Sequence, residues 1–142
     1  MLDKIKIVFD AYNASFESVI CAIRTHLSTP ASTRALLLGD MLELGDFTEE
    51  LHERIGYACA AARDGIHQLY LFGAQAETIA DAAIRKGFAE NNIFINTNDE
   101  RPDITAEQIL RNTRDGTCLW IKGARGMRME RILDILTKNT GR

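Results

Sequence analysis

The chain has 142 residues, of which 46% are hydrophobic and 26% charged, and its formal net charge at pH 7 is −3. This length predicts a single domain spanning residues 1–142, and the composition argues against fibrous, disordered and disulfide-rich proteins. The sequence contains no apolar run of 18 residues and starts without the apolar core of a signal peptide, so we expect a cytoplasmic protein with no membrane partner. The mild acidity argues against a nucleic-acid partner but leaves a small anionic ligand open.

Five short apolar runs alternate with helical periods along the chain. The predicted strands are residues 5–9, 35–38, 67–72, 92–95 and 117–121, and a polar turn and apolar residues at helical spacing follow each of them. Strict alternation predicts an α/β fold with three layers, in which helices cover both faces of a mostly parallel sheet of five or six strands. The pattern does not determine the order of the strands.

Three sequence signals predict where helices begin or end. The pair Asp46 and Glu49 fits the N-terminus of the second helix, and Thr105-Ala-Glu-Gln108 has the spacing of a capping box at the fourth, with Ile104 and Ile109 as its hydrophobic staple. Gly87 is suited to the position just after the third helix. The three cysteines, Cys21, Cys59 and Cys118, form no C-x-x-C pair and are predicted to be buried free thiols.

Polar residues concentrate in three of the predicted strand-to-helix loops, at residues 10–15, 39–46 and 122–128. Because open parallel sheets bind ligands beyond the carboxyl ends of their strands, we expect these loops to share one edge. Asp10 could accept from ribose hydroxyls or hold a cation, and Asn13 could read an amide or an adenine edge. Both residues also fit a helix cap or an Asx-turn, which is the commoner role of these residue types.

The second loop carries Asp40 and Glu43 between two glycines, a pattern that suits an ammonium group, a metal or a solvated turn. Its apolar residues, Met41, Leu42 and Leu44, indicate packing against another surface, such as a further domain.

The fifth loop is basic, and backbone N–H groups at a helix start beside Lys or Arg side chains form anion sites. We therefore expect Lys122 and Arg125 to bind an anion, and Arg128 and Arg131 to be solvated helix residues. His52 fits a structural role better than a catalytic one, and His26 and His67 are predicted at the surface. The chain lacks a Walker A loop, a G-x-G-x-x-G fingerprint, a G-x-S-x-G elbow and an H-E-x-x-H motif.

The polar loops resemble three motifs of the Mur ligase family, in the family's order and over roughly residues 5–136. Asp10-Ala-Tyr-Asn-Ala with Ser18 is similar to the D-x-Y-N-A-x-x-x-S element. Leu38-Gly-Asp-Met-Leu-Glu-Leu-Gly45, followed by His52 and Gly56, and the segment 121–130 (IKGARGMRME) resemble motifs of the branch that adds D-alanyl-D-alanine. Two positions depart from the pattern: Ser15-Phe16 replaces the usual N-P, and Ala124 replaces the usual Ser.

This resemblance implies a Rossmann-like C-terminal domain of a three-domain, ATP-dependent ligase. Such an enzyme joins D-alanyl-D-alanine to UDP-N-acetylmuramoyl-tripeptide in peptidoglycan synthesis, through an acyl phosphate. The C-terminal domain closes over ATP and the incoming dipeptide, while the central domain supplies the P-loop and most of the Mg²⁺ ligands. We expect that central domain upstream of Met1, which leaves the fragment inactive by itself.

By the same resemblance, Asp10, Tyr12 and Asn13 would contact the nucleotide on closure. Lys122 and Arg125 would meet phosphates or the dipeptide carboxylate. A further set, Asp40, Glu43 and His52, would bind the dipeptide or contact another domain. The alternative function is a stand-alone nucleotide-binding or interaction module that reuses the fold. A receiver-like signalling domain ranks last, because the third loop (Gly73-Ala-Gln75) offers no phospho-acceptor Asp.

Overall fold

The computed structural model describes residues 5–140 and shows a five-stranded sheet between two layers of helices. The strands are β1 (Lys6–Asp10), β2 (Thr33–Gly39), β3 (Gln68–Phe72), β4 (Ile93–Asn96) and β5 (Thr117–Lys122). The helices are α1 (Phe16–His26), α2 (Thr48–Ala61), α3 (Ala76–Arg85), α4 (Pro102–Asn112) and α5 (Glu130–Thr140). The predicted alternation of strands and helices is therefore confirmed.

The sheet has the order β1-β5-β2-β3-β4, and all neighbouring strands are parallel. Strand β5 lies between β1 and β2, so the last strand in the chain separates the first two. This order confirms the predicted three-layer α/β fold. It also makes the loops after β1, β5 and β2 neighbours along one edge of the sheet.

Two hydrophobic cores cover the two faces of the sheet. The central strand β2 contributes to both, because alternate side chains of a strand point to opposite faces. Leu36 and Leu38 lie in the core beneath α1, α2 and α3, while Ala35 and Leu37 lie in the core beneath α4 and α5. After β1 the chain continues into α1 on one face of the sheet, whereas after β5 it continues into α5 on the opposite face. The diverging loops open a crevice between these two strands, the type of position where α/β sheets bind ligands.

Two of the three predicted helix ends are wrong. A capping box does occur in the structure, but at the start of α1. Helix α2 begins at Thr48 after a 3₁₀ turn, with no side-chain cap from Asp46. Thr105 lies inside α4, which begins at Pro102, because proline is favoured in the first turn of a helix. The capping box is formed at α1, where the Ser15 hydroxyl accepts the Ser18 N–H at 3.1 Å and the Ser18 hydroxyl accepts the Ser15 N–H at 2.9 Å.

Gly87 follows α3 with a φ of +107°, and its N–H donates to the Ile84 carbonyl, which confirms the predicted helix end. Cys59 and Cys118 are buried free thiols as expected, whereas Cys21 is exposed on α1. Within residues 5–140, none of the helices has the length and apolar character needed to cross a lipid bilayer.

Candidate functional site

The last residues of β1 and β5 form a partly buried charge pair in this crevice. Asp10 and Lys122 lie opposite each other in the strand register, and the Lys122 Nζ is 3.2 Å from each carboxylate oxygen of Asp10. Lys122 is only 4% exposed, whereas the Asp10 side chain is 38% exposed. The indole N–H of Trp120 donates to the same carboxylate at 3.3 Å. The two donors orient the Asp10 carboxylate, and the Lys122 ammonium group neutralises its charge.

A cleft of about 410 Å³ opens above this pair. It is lined by Phe9, Asp10, Ala11, Tyr12, Arg125 and Glu130. The Arg125 guanidinium carbon lies 5.4 Å from the centre of the Tyr12 ring, within the range of a cation–π contact. Arg125 forms no salt bridge with any carboxylate of the described residues, so its charge is available to a ligand. Of the two basic residues predicted to bind an anion, Arg125 is free and Lys122 is paired.

Asn13 is exposed in the same loop as Tyr12. It is not the cap of α1, because Ser15 occupies that position. The structure therefore removes the capping role that the sequence had left open for Asn13, and Asn13 is not among the residues that line the cleft.

Asp40 is buried and holds the loop after β3. Its two carboxylate oxygens accept the backbone N–H groups of Ala74 and Gln75 at 2.9 and 3.0 Å. Burial raises the pKa of this carboxyl group, and the two backbone N–H donors act against that rise. Gly73 approaches the carboxylate so closely that a Cβ would lie 2.5 Å from one oxygen. The geometry of Asp40 thus fits a brace between two loops.

His52 braces the same loop from α2. Its Nε2 accepts the Met41 N–H at 3.0 Å, and its Nδ1 donates to the Thr48 carbonyl at 2.6 Å. These partners require a neutral ring that carries its proton on Nδ1. Glu43, by contrast, lies at the exposed tip of the loop with a left-handed backbone (φ +63°). Of the three residues, Glu43 alone presents its side chain to solvent.

The second and third motifs meet at close contacts made by glycines. A Cβ on Gly39 would lie 2.9 Å from the Met129 sulfur, and a Cβ on Gly123 would lie 2.9 Å from the Met129 Cγ. A Cβ on Gly126 would lie 2.8 Å from Leu42. The loops after β2 and β5 are therefore packed on each other. Gly56 of the second motif lies elsewhere, where α2 packs against the backbone of α3.

Several residues differ from their predicted environments. Arg128 precedes α5 in a left-handed conformation. Arg131 is not simply solvated, because its guanidinium donates to the carbonyls of Asp99, Met127 and Arg128. His26, predicted at the surface, is fully buried and its Nε2 donates to the Ala35 carbonyl. His67 is half-buried and accepts the Arg34 N–H.

Sequence reasoning missed three residues that shape the cleft, Phe9, Trp120 and Glu130. Phe9 and Trp120 are signalled only by their distance of one or two positions from Asp10 and Lys122, whereas Glu130 is the last residue of the third motif. Nothing in a local pattern distinguishes such neighbours. Among the described residues, no group of three His, Cys, Asp or Glu side chains is arranged to hold a metal ion.

A family model described as "Mur ligase, glutamate ligase domain" matches residues 2–125. The chain belongs to the Mur ligase family. The motifs at the edge of the sheet thus lie in a Mur ligase domain, as their resemblance indicated.

Curated relatives of this Mur ligase domain carry the name UDP-N-acetylmuramoyl-tripeptide–D-alanyl-D-alanine ligase. The Bacillus subtilis protein is 32% identical over 136 residues, which are 95% of this chain and 28% of the relative. The Escherichia coli protein is 30% identical over 131 residues, 92% of this chain and 26% of the relative. The chain spans only about a quarter of the length of these relatives.

Solved structures of the family share the fold of this Mur ligase domain. The MurF ligase from Thermotoga maritima, in complex with ADP, is 26% identical and superimposes with a TM-score of 0.72 over 96% of this chain and 29% of its own. MurF from Acinetobacter baumannii is 21% identical, with a TM-score of 0.75 over 92% of this chain and 28% of its own. The latter shows similarity of fold alone.

Proposed function

We propose that this Mur ligase domain, residues 1–142, is the C-terminal domain of an ATP-dependent ligase that adds D-alanyl-D-alanine to UDP-N-acetylmuramoyl-tripeptide. The observation that carries the proposal is the convergence of Asp10, Tyr12 and Arg125 around one cleft. The names of the relatives, and the ADP bound to the Thermotoga maritima protein, support it.

The nucleotide would lie in the cleft between the loops after β1 and β5. Lys122 contacts both oxygens of the Asp10 carboxylate and Trp120 contacts one of them. The remaining lone pairs, on the exposed side of the carboxylate, can accept ribose hydroxyls. Tyr12 is 75% exposed and offers a ring face for a base, with the Asn13 amide beside it. These three residues would position the nucleoside.

Arg125 would bind the phosphates or the carboxylate of the dipeptide. A guanidinium group pairs with both anions through two parallel N–H donors. In the transfer of a phosphoryl group, such a charge stabilises the negative charge that develops in the transition state. Lys122 would contribute indirectly, because its ammonium group is buried against Asp10 and orients it.

Glu43 would meet the ammonium group of the dipeptide or another domain of the ligase. Asp40 and His52 would act through the loop that they brace, since their polar atoms already have protein partners. Mg²⁺ would be held by the other domains, and we assign it no step on this chain. The proposed site requires residues that other domains supply, so the isolated chain is expected to lack activity.

A titration of the isolated ¹⁵N-labelled chain with ADP tests the nucleotide site. We expect weak, saturable amide shifts at residues 10–13 and 122–125, with no hydrolysis of ATP. Arg125→Ala should reduce the affinity by about tenfold, the usual loss for a charge-assisted contact, whereas the exposed control Arg24→Ala should not. Shifts centred elsewhere would contradict the proposal. Tight binding by the isolated chain would favour the stand-alone nucleotide-binding module instead.

The ligase activity needs a complete enzyme. In a chimera of this domain with the remaining domains of the Bacillus subtilis relative, Arg125→Ala should slow ligation by about 10²-fold, as the loss of one transition-state donor does in other enzymes. Unchanged kinetics in an active chimera would refute the assignment of Arg125.

A further inference from the structure

A second cavity of about 380 Å³ lies at the opposite edge of the sheet, where β2, β3 and β4 begin. Neither the motifs nor the proposed function uses this edge. The cavity is open to solvent on one side and is lined by residues at the starts of the strands and by residues 111–114, which end α4 and lead towards β5. It is therefore separated from the nucleotide cleft by the length of the sheet.

Polar side chains form the floor of the cavity. Thr33 of β2 and Gln68 of β3 lie on the face of the sheet that carries Leu37 and Tyr70 further along the same strands. Thr117 of β5, which does not itself line the cavity, pairs with Thr33 in the register and lies on the same face. Its hydroxyl is buried and has no hydrogen-bond partner among the described residues. The hydroxyl groups of Thr33 and Thr117 thus lie side by side at the end of a core that is otherwise apolar.

Internal hydrogen bonds occupy several acceptors around the cavity. The Asn112 carbonyl accepts from the Gln68 amide at 2.8 Å, and the Gln108 carbonyl accepts from the Asn112 amide at 2.8 Å. The His67 Nδ1 accepts the Arg34 N–H at 3.0 Å. In the neutral ring this contact places the remaining proton on Nε2. His67 therefore offers the cavity a donor, and the acceptors at the end of α4 are partly satisfied.

The rim is basic. Arg111 and Arg114 both line the cavity, and none of its eight lining residues is acidic. Arg111 is paired with Glu107 on the exposed side of α4 at 2.9 Å, while Arg114 forms no salt bridge among the described residues. Free positive charge, a histidine N–H and hydroxyl donors together match the oxygens of a compact anion.

We propose that this cavity binds a phosphate group, either as free phosphate or as the ester of a small metabolite. Arg114 contacts the phosphate oxygens directly, the His67 Nε2–H adds a second donor, and the Thr33 hydroxyl contacts the ligand from the floor. The volume lies within the range of small-molecule sites. The proposal is independent of nucleotide binding at the other edge of the sheet.

The test is a titration of the ¹⁵N-labelled chain with inorganic phosphate and, separately, with glycerol 3-phosphate, at ionic strength held constant with sodium chloride. We expect saturable amide shifts at residues 33, 67–68 and 112–117. A stronger response to glycerol 3-phosphate would assign the site to phosphate esters, and a stronger response to inorganic phosphate would assign it to the free ion. Shifts that fail to saturate with either probe would overturn the proposal.

Two substitutions probe separate parts of the site. Arg114→Gln should weaken phosphate binding by about tenfold, as expected for the loss of a charge-assisted contact, whereas Arg24→Gln, a matched change of an exposed arginine on α1, should not. Thr33→Val keeps the shape of the floor but removes its hydroxyl, and it should also weaken binding. If Arg114→Gln and Arg24→Gln bind phosphate equally well, the site does not exist as proposed. ADP binding at the other edge should remain intact in all three variants.

Discussion

His26 shows how the position of one side chain connects the protein's stability to pH. It is fully buried beside the tilted ring of Trp120, at 5.5 Å between ring centres, and donates from Nε2 to the Ala35 carbonyl at 2.8 Å. Burial lowers the pKa of His26 below its ordinary value of 6.5, and the nearby Arg34 charge acts in the same direction. The folded protein therefore holds this ring neutral in a range where the unfolded chain binds a proton.

The stability of the domain should consequently fall with acidification below about pH 6.5, as pH decreases towards the lowered pKa of folded His26. Above this window, His26 adds no pH dependence. Urea unfolding at about pH 7.5 and about pH 5.5 measures the effect. The free energy of unfolding should decrease less between these conditions in His26→Gln than in the wild type. An equal decrease in both proteins would show that other groups cause the dependence.

Asp40 and Glu43 are carboxylates of one loop with opposite environments. Asp40 is buried and accepts two backbone N–H groups, while Glu43 is exposed. Asp40→Asn preserves the shape but replaces one acceptor with an amide donor, which leaves a buried N–H unpaired. We expect a loss of about 1–3 kcal/mol in the free energy of unfolding, measured by urea denaturation.

The matched control for that measurement is Glu43→Gln. An exposed substitution of this kind should change stability by no more than about 0.5 kcal/mol. If both variants are equally stable, Asp40 does not brace the loop after β3.

At the scale of elements, the start of α1 distinguishes a real cap from an apparent one. The reciprocal hydrogen bonds of Ser15 and Ser18 satisfy N–H groups that would otherwise be unpaired in the first turn. Asp46 makes no comparable contact with α2. Ser15→Ala should therefore cost about 1 kcal/mol, and Asp46→Ala should cost less than about 0.5 kcal/mol. Thermal unfolding of both variants compares them directly, and the reverse ranking would contradict the structure.

The order of the strands determines what the loops can do. Asp10 and Lys122 are 112 positions apart in the chain and become neighbours only because β5 lies next to β1. If β5 had been added at the other edge, beside β4, the basic loop would stand at the far side of the sheet. The cleft thus follows from one long crossover, from β4 over two strands to the gap between β1 and β2.

At the scale of the whole molecule, one sheet joins two cores. The strands β2, β3 and β5 place side chains in the core on each face, so loss of one core exposes the back of the other. We expect the 142-residue chain to unfold in a single cooperative transition, as most domains below about 150 residues do.

Fluorescence of Trp120, the only tryptophan, and far-UV circular dichroism should report the same urea midpoint. Trp120 contacts the core beneath α1, α2 and α3, whereas circular dichroism averages over all helices. Two separate midpoints would show that the layers unfold independently and would contradict a single domain.

The sequence by itself determined the alternation of strands and helices, because apolar periodicity is a local property that each segment carries without its neighbours. It also determined that the loops at residues 10–15, 39–46 and 122–128 share one edge, since every strand of a parallel sheet ends on the same side. The motifs in these loops identified the Mur ligase family before any contact was known.

Only the tertiary structure decided which of the polar residues are free. Lys122 and Arg125 look equivalent in sequence, yet the first is buried against Asp10 and the second is free of a carboxylate partner. His26 and His67 carry no motif, yet one lies in a core and the other beside the second cavity. Pairing and burial depend on contacts between segments distant along the chain, and local periodicity carries no information about them.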